Sequence, residues 1–395
     1  MMDKKDNYIV LARKYRPKKL SDILGQEEAC SVIEGSIKLD RVAHAFLFSG
    51  TRGVGKTTIA RILSKMLNCN EPIKGTLDPC ESCSNCNSIN NESNIDVVEI
   101  DAASRTGVSD IREIIENISY KPVSAKKKIF IIDEVHMLSK AAFNALLKTL
   151  EEPPEDVIFI FATTETEKIP VTILSRCQRF NLKRVDLAKI SNHIIHISKN
   201  EGYKIDEDAS NLIAQCSEGS VRDALSILDN VLTKSNHISI EVVRDVLGLA
   251  DNSLALNLFK SLFEGDVKLS LEQFNDLYSK GISIDQLAKL LMNFSYNLAM
   301  IKSGIDIKGY FFNDKIIDTL TQIAENSEMD FITRFWELLQ KYVNELSTIF
   351  DEKQCFDMTV MRICFASIIP TPFEILKKNG LDNGKNFIPP IQNKV

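Results

Sequence analysis

Three short stretches of this 395-residue sequence carry residue types whose spacing can do chemistry. In "GTRGVGKTT", Gly50, Gly53 and Gly55 precede Lys56 and Thr57 in the order G-x-x-x-x-G-K-[ST]. Glycines let consecutive backbone N–H groups turn inward around phosphate oxygens, and a helix that starts just after them points its positive end at the same anion. Gly50, Thr51, Arg52, Gly53, Val54, Gly55, Lys56, Thr57 and Thr58 are therefore expected to cradle a nucleotide. Lys56 should reach the β/γ-phosphates and the Thr57 hydroxyl should hold Mg²⁺.

The second stretch, "KIFIIDEVHML", is an apolar strand ending in Asp133 and Glu134. An acid at the end of such a strand can hold the Mg²⁺ shell, and its neighbour can polarise an attacking water. His136 follows at once and reads as a packing or supporting residue. The third stretch, "NCNEPIKGTLDPCESCSNC", brings Cys69, Cys80, Cys83 and Cys86 together. Two C-x-x-C steps suit tetrahedral Zn²⁺, with unliganded thiols as the alternative. Four thiolates leave no open coordination position, so a metal here is expected to be structural. It would order an insert too short to bury its own core.

These residues need elements to position them. Up to about residue 182, short apolar runs (45–49, 97–100, 129–132, 157–162 and a weaker one at 179–182) alternate with amphipathic segments such as "KTTIARILSKMLN", "VSDIREIIENISY" and "KAAFNALLKTLEE". That alternation predicts a parallel sheet covered by helices, an α/β P-loop NTPase architecture. Strand "FIFATT" ends in Thr163 and Thr164, which would stand between the acids and the γ-phosphate if that strand lies beside the first. After residue 183 no further strands are expected. "EDASNLIAQCSEGSVRDALSILDNVL" predicts two short helices, with Ser220 capping the second. Helical periodicity continues from about residue 250, and the Gly-, Asn- and Pro-rich end is expected to fray. The predicted division is 1–182, with the cysteine insert at about 69–90, then 183–247, 248–370 and a tail at 371–395.

A net charge of −6 argues against a surface that is everywhere a nucleic-acid footprint, so any DNA contact must be local. Basic candidates are Arg13, Lys14, Arg16, Lys18 and Lys19, and the triplet Lys126 to Lys128, which also reads as a solvated turn. Of the nine cysteines, five are scattered and read as small core residues. The absence of signal-peptide or bilayer-length apolar runs leads to the expectation of a cytoplasmic protein without a membrane partner. Arg176 in "TILSRCQRF", on a short helix, reads either as a surface arginine or as a charge offered to a neighbour. Arg222 in "EGSVRDALSILD" reads either as a ligand-facing group or as a partner of Asp223 or Asp229.

Taken in order, "LARKYRPKKLSDILGQE", the phosphate loop, "CESCSNC", "EIDAASRTGVSDIRE", "IIDEVHMLSKAAFNALLKTLEEPPE", "FATTETEKIPVTILSRCQRF" and "EGSVRDALSILD" resemble the AAA+ clamp-loader ATPases, specifically the gamma/tau family of bacterial DNA polymerase III. The resemblance implies an ATPase domain with a zinc-binding insert, a small helical lid domain and an all-α collar domain for oligomerisation. It implies Asp133 and Glu134 as Walker B acids, Thr164 as sensor 1, Arg176 as an arginine finger acting in trans and Arg222 as sensor 2. Leu11, Ala12, Tyr15, Arg16 and Pro17 would pack near the adenine, and Arg105 and Thr106 would approach the DNA backbone.

The implied cofactors are ATP, Mg²⁺ and structural Zn²⁺. The implied partners are delta, delta-prime and further gamma/tau copies, the sliding clamp and primer-template DNA. ATP binding would open the clamp and its hydrolysis would release the clamp on DNA, within a polymerase III holoenzyme whose polymerase chemistry lies elsewhere. The chain resembles the short form; long forms carry a further C-terminal region that binds polymerase and helicase. The rivals are a different AAA+ DNA motor, such as a branch-migration helicase, and a nucleotide-stabilised scaffold that does not hydrolyse.

Overall fold

The computed structural model describes residues 8–73, 75–104, 118, 121–247, 252–305, 314–345 and 351–368. The chain forms two compact units, 1–243 and 244–395.

In the first unit, β1 (Ala45–Ser49), β2 (Val97–Asp101), β3 (Lys128–Asp133), β4 (Val157–Thr163) and β5 (Gln178–Asn181) form one sheet in the order β2-β3-β4-β1-β5. Every neighbouring pair is parallel. Parallel strands need crossovers, which here include α3 (Lys56–Asn68) after β1 and α5 (Lys140–Glu151) after β3; α1 (Leu11–Lys14) and α2 (Glu27–Lys38) precede the sheet and α4 (Ser84–Asn90) follows α3. With both faces covered, the inner strands read as continuous apolar runs rather than alternating ones, and all seven residues of β4 are buried. Alternate side chains feed two cores. Leu47, Phe130, Ile132, Phe159 and Phe161 pack with Phe143, Leu146 and Leu150 of α5. Phe46, Phe48, Ile129, Ile131, Ile158 and Ile160 pack with Ile59, Ile62 and Leu63 of α3 and Ile33 of α2. Each such burial is worth about 1.5–3 kcal/mol, which is why the register of the inner strands is strongly set.

The five strands stand where the apolar runs predict them. After β4 the chain continues through α6 (Val171–Leu174) and β5 to α7 (Leu187–Asn200), α8 (Glu207–Cys216) and α9 (Val221–Leu232). Ser220 caps α9, its Oγ accepting from the Asp223 N–H at 3.2 Å as the sequence predicts. The expectation that strands cease after residue 183 is corrected: β6 (Lys204–Ile205) and β7 (His237–Ile238) pair in parallel. Two-residue strands are too short to show any period. The segment "VSDIREIIENISY", apart from Ile118, and residues 371–395 lie outside the described residues.

α10 (Ile240–Leu247) reaches into the second unit, whose described elements are all helical: α11 (Asn252–Glu264), α12 (Val267–Ser279), α13 (Ile284–Lys302), α14 (Asp314–Asn326), α15 (Met329–Glu345) and α16 (Glu352–Ile368). One apolar cluster takes residues from α11 to α16. Phe259 sits at its centre, its ring centroid 5.1 Å from Phe335 edge-on and 5.4 Å from Phe294. No described helix of either unit is long and apolar enough to cross a membrane.

Candidate functional site: a phosphate loop, two acids and a lid helix

The strand order decides the site. Because β4 lies between β1 and β3, its end stands between the phosphate loop leaving β1 and the acids ending β3. The loop turns through glycines with φ of +147° at Gly50, +78° at Gly53 and +107° at Gly55, a region that L side chains rarely adopt. Gly55 delivers the chain into α3, whose first residues are Lys56 and Thr57. Lys56 is 6% exposed, and its Nζ donates to the carbonyls of Gly50 at 2.9 Å and Thr51 at 3.0 Å. Burial lowers the pKa of its ammonium group, a pull opposed by the nearby charges of Glu134 and Asp133.

Thr57 and Asp133, far apart in sequence, meet: the Thr57 hydroxyl donates to Asp133 Oδ2 at 2.7 Å. A hydroxyl beside a carboxylate at the mouth of a phosphate loop is a donor set that fits Mg²⁺, a hard cation with oxygen ligands. Asp133 Oδ1 accepts the N–H of Glu134 at 2.9 Å. Glu134 itself has φ +46°, an uncommon conformation for a residue with a Cβ, and it breaks the strand so that its carboxylate turns toward β4. There Glu134 Oε2 accepts from the Thr164 hydroxyl at 3.1 Å and the Thr164 N–H at 3.3 Å.

Lys56, Thr57, Asp133 and Glu134 border one cavity of about 740 Å³, which Thr164 does not line and which is lined also by Val10, Ala12, Arg13, Tyr15, Arg16, Pro17, Ile23, Leu24, His193, Val221, Arg222 and Leu225. The phosphate loop thus forms one wall, and α1, α7 and α9 the others. Arg16, Arg222 and Lys56 all line this space. Burial, followed by the neighbouring Arg61 guanidinium, lowers the pKa of Arg16. Of the residues expected near a base, Ala12, Tyr15, Arg16 and Pro17 line the cavity, whereas Leu11 is buried at 1% exposure.

Sequence reading missed the residues that hold this segment in place. Asp229 of α9 accepts from the Tyr8 hydroxyl and, at 3.3 Å, from the Leu11 N–H. Glu201, just past α7, pairs with Lys14 at 2.7 Å and accepts from the Tyr15 hydroxyl. His193 in the cavity wall was also unforeseen; burial, with His196 nearby, lowers its pKa. No sequence signal ties an N-terminal segment to acids some two hundred residues on.

Other candidates are placed elsewhere. Arg222 lines the cavity, and no ion pair to Asp223 or Asp229 is found for it among the described residues. Arg176 does not line the cavity, and it follows α6 by two residues rather than lying on a helix. Its guanidinium pairs with Glu151 at 2.7 Å and donates to the Thr172 carbonyl at 2.6 Å. Arg105 and Thr106 lie outside the described residues. The lysine triplet is not a free basic patch: Lys126 and Lys127 lie on a partly exposed bend, as a solvated turn would, but their charges have partners. Lys126 Nζ donates to the Cys69 carbonyl at 2.7 Å, Lys127 pairs with Asp156 at 3.0 Å, and Lys128 opens β3 at 6% exposure.

The four clustered cysteines converge with all Sγ atoms within 4.8 Å of one another, and those of Cys80 and Cys86 are 4.0 Å apart. Tetrahedral Zn²⁺ with sulfur ligands at about 2.3 Å needs such spacing, so the donors fit the metal. Backbone N–H groups already point at sulfur, from Cys80 to Cys69 Sγ at 3.3 Å, from Cys83 to Cys80 Sγ at 3.3 Å and from Cys86 to Cys83 Sγ at 3.5 Å. Hydrogen bonds from the Ser82 and Cys83 backbone bring the Cys80 thiol down to about 6, whereas burial pushes Cys86 up. The insert is tied to the phosphate-loop helix: Lys65 of α3 pairs with Glu81, and Arg61 of α3 pairs with Glu92, beyond α4, at 2.6 Å.

Family models match along the chain: "DNA polymerase III, delta subunit" over residues 25–186, "DNA polymerase III clamp loader subunit, ATPase lid domain" over 189–237, and "DNA polymerase III subunits gamma and tau domain III" over 238–379. The chain is 39% identical over 361 residues to DNA polymerase III subunit gamma of Buchnera aphidicola subsp. Acyrthosiphon pisum, covering 91% of this chain and 99% of that one. It is 39% identical over 370 residues to DNA polymerase III subunit tau of Escherichia coli, covering 93% of this chain and 57% of that longer protein. Among solved structures, the Thermotoga maritima RuvB Holliday junction branch migration motor aligns at 18% identity and a TM-score of 0.45, over 74% of this chain and 99% of its own. By its identity to relatives that it spans almost end to end, and by the successive family models that it matches, the chain belongs to the gamma/tau family of DNA polymerase III subunits.

Proposed function

We propose that this chain is the ATP-hydrolysing subunit of a DNA polymerase III clamp loader, with the nucleotide bound in the cavity between the phosphate loop and α9. The observation that carries the reading is convergence: Lys56, Thr57, Asp133, Glu134 and Arg222, scattered over 167 positions (222 − 56 + 1), border one space. Lys56 and Arg222 would hold the phosphates from opposite walls, with the loop N–H groups beneath them. Ala12, Tyr15, Arg16 and Pro17 would wall the base. Thr57 and Asp133 would hold Mg²⁺, which neutralises charge on the β- and γ-phosphates when bound. Glu134 would polarise the attacking water, and Thr164, which holds the Glu134 carboxylate, would act as sensor 1. Arg176, outside the cavity of its own chain, is suited to complete a neighbour's site.

In this reading residues 1–182 are the ATPase domain, 183–247 the lid and 248–370 the collar through which delta, delta-prime and further copies assemble. Clamp opening requires that ATP favour the gripping state over the released one, since only differential affinity shifts an equilibrium. The intact acids Asp133 and Glu134 weigh against a non-hydrolysing scaffold. A family match that runs on through the helices of the second unit weighs against a branch-migration motor.

The test is the assembled complex carrying Glu134→Gln. Nucleotide binding should persist while turnover collapses by roughly 10²-fold or more, the size expected for loss of a group that acts on the water. ATP turnover by the unaltered complex should rise with clamp and primed DNA and should require Mg²⁺. Unchanged hydrolysis in the variant, or indifference of the complex to both clamp and DNA, overturns the reading.

A further inference from the structure

We propose that His136 is a positioning residue for Glu134, and that Glu165 sets which ring nitrogen of His136 carries the proton; this rests on the reading of Glu134 as the group that polarises water. His136 does not line the nucleotide cavity, yet its side chain is only 5% exposed and is enclosed by polar groups. Nδ1 lies 3.0 Å from the Thr163 hydroxyl and 3.4 Å from Glu134 Oε2. Nε2 lies 3.3 Å from Glu165 Oε1. Behind Glu165 stands Lys168, its Nζ 2.7 Å from Glu165 Oε2. The imidazole therefore stands between two carboxylates, and a neutral ring has one N–H to give.

The surrounding bonds choose between the tautomers. The Thr163 hydroxyl oxygen accepts the Glu165 N–H at 3.0 Å, which leaves its own proton free to donate. His136 Nδ1 stands within hydrogen-bond reach of it, at 3.0 Å. With Nδ1 accepting, the ring proton sits on Nε2, 3.3 Å from the Glu165 carboxylate, whose negative charge favours it there. The three groups are linked in sequence: Glu165 N–H to Thr163, Thr163 hydroxyl to His136 Nδ1, and His136 Nε2 beside the Glu165 carboxylate. In this arrangement the ring offers Glu134 no proton, and among the described residues the donors to the Glu134 carboxylate are the Thr164 hydroxyl and N–H. Were the proton on Nδ1 instead, the ring would compete with Thr164 for Glu134 Oε2 and draw the carboxylate toward the sheet. Glu165 thus reaches Glu134 through His136 without touching the nucleotide.

Two amide replacements separate the nitrogens. In His136→Gln the amide N–H falls near the Nε2 position and can still serve Glu165. In His136→Asn it falls near Nδ1 and faces Glu134. On the reconstituted complex, His136→Asn should lower kcat for ATP by roughly ten- to a hundredfold, the scale of a mispositioned reacting group, with nucleotide affinity and KM unchanged. His136→Gln should retain more of kcat than His136→Asn. Glu165→Ala, at a residue whose side chain is 45% exposed, should lower kcat in the unaltered background and have no further effect when combined with His136→Asn. Equal kcat in the Asn and Gln variants, an effect confined to KM or melting temperature, or full additivity with Glu165→Ala overturns the proposal. Glu134→Gln measured in parallel keeps the two ideas apart. If it still hydrolyses ATP the reading of Glu134 fails, and if it does not while the His136 variants behave normally, only the positioning role fails.

Discussion

Gly53 of the phosphate loop approaches Ser220, the cap of α9, so closely that a Cβ on Gly53 would fall 1.9 Å from the Ser220 Oγ and 3.0 Å from its Cβ. This glycine loop and the helix that carries Arg222 are thereby in van der Waals contact, and a methyl group cannot be placed between them.

We expect Gly53→Ala to weaken nucleotide binding at least tenfold by prising α9 from the loop. Adding Ser220→Gly should restore only part of it. The φ of +78° at position 53 still costs an alanine about 1 kcal/mol, and loss of the Ser220 cap costs a few tenths more. Titration with a fluorescent nucleotide reads both effects. Full restoration by Ser220→Gly would show that the clash alone matters.

Arg176→Ala should leave the nucleotide affinity of the isolated chain unchanged, because Arg176 does not line that chain's cavity. Turnover by the assembled complex should fall about 10³-fold, as for other guanidinium groups supplied in trans. Loss of affinity in the isolated chain would return Arg176 to its own site.

The cysteine cluster should bind one zinc ion per chain, measured by metal analysis, and Cys86→Ser should lose it. Thiols must shed protons to ligate, so chelator stripping should become easier as pH falls. Of the four, Cys80 is readiest, with its pKa at about 6, whereas Cys86 is held up by burial. Stripping that is indifferent to pH would argue against thiolate ligation.

Asp96, 1% exposed, accepts the N–H groups of Val123 at 2.9 Å, Ser124 at 2.6 Å and Ala125 at 2.8 Å. Burial alone would raise its pKa, but these donors outweigh burial and the net shift is downward. A depressed folded value contributes stability that is present above the unfolded value of about 4 and lost as pH falls through the folded one. Asp96→Asn should cost about 3 kcal/mol at neutral pH, since its NH₂ faces backbone donors, and should flatten the acid limb of the denaturation curve. An unchanged midpoint in urea would remove Asp96 from this role.

Much of the site was legible because its chemistry is local. Gly50 to Thr58 follow one another along the chain, and the two C-x-x-C steps put three thiols within one turn and a loop. The ends of β3 and β4 could be read from apolar runs that stop at Asp133 and Thr163. What could not be read are pairings across the chain: Asp229 with the Leu11 N–H, Glu201 with Lys14, and His136 with Glu165. Nor could the partners of Lys126 and Lys127, the Cys69 carbonyl and Asp156, be read, because a run of charges carries no mark of its partners.

Sequence alone therefore determined which residues are candidates to hold phosphate, metal and water, since loop geometry and helix starts depend on a few consecutive residues. Tertiary structure decided where those groups meet. The order β2-β3-β4-β1-β5 inserts β4 between the loop and the acids, and the docking of α1 and α9 closes the cavity. Strand order and helix docking depend on the burial of two whole faces of a sheet, a property of the assembled core that no short stretch of residues contains.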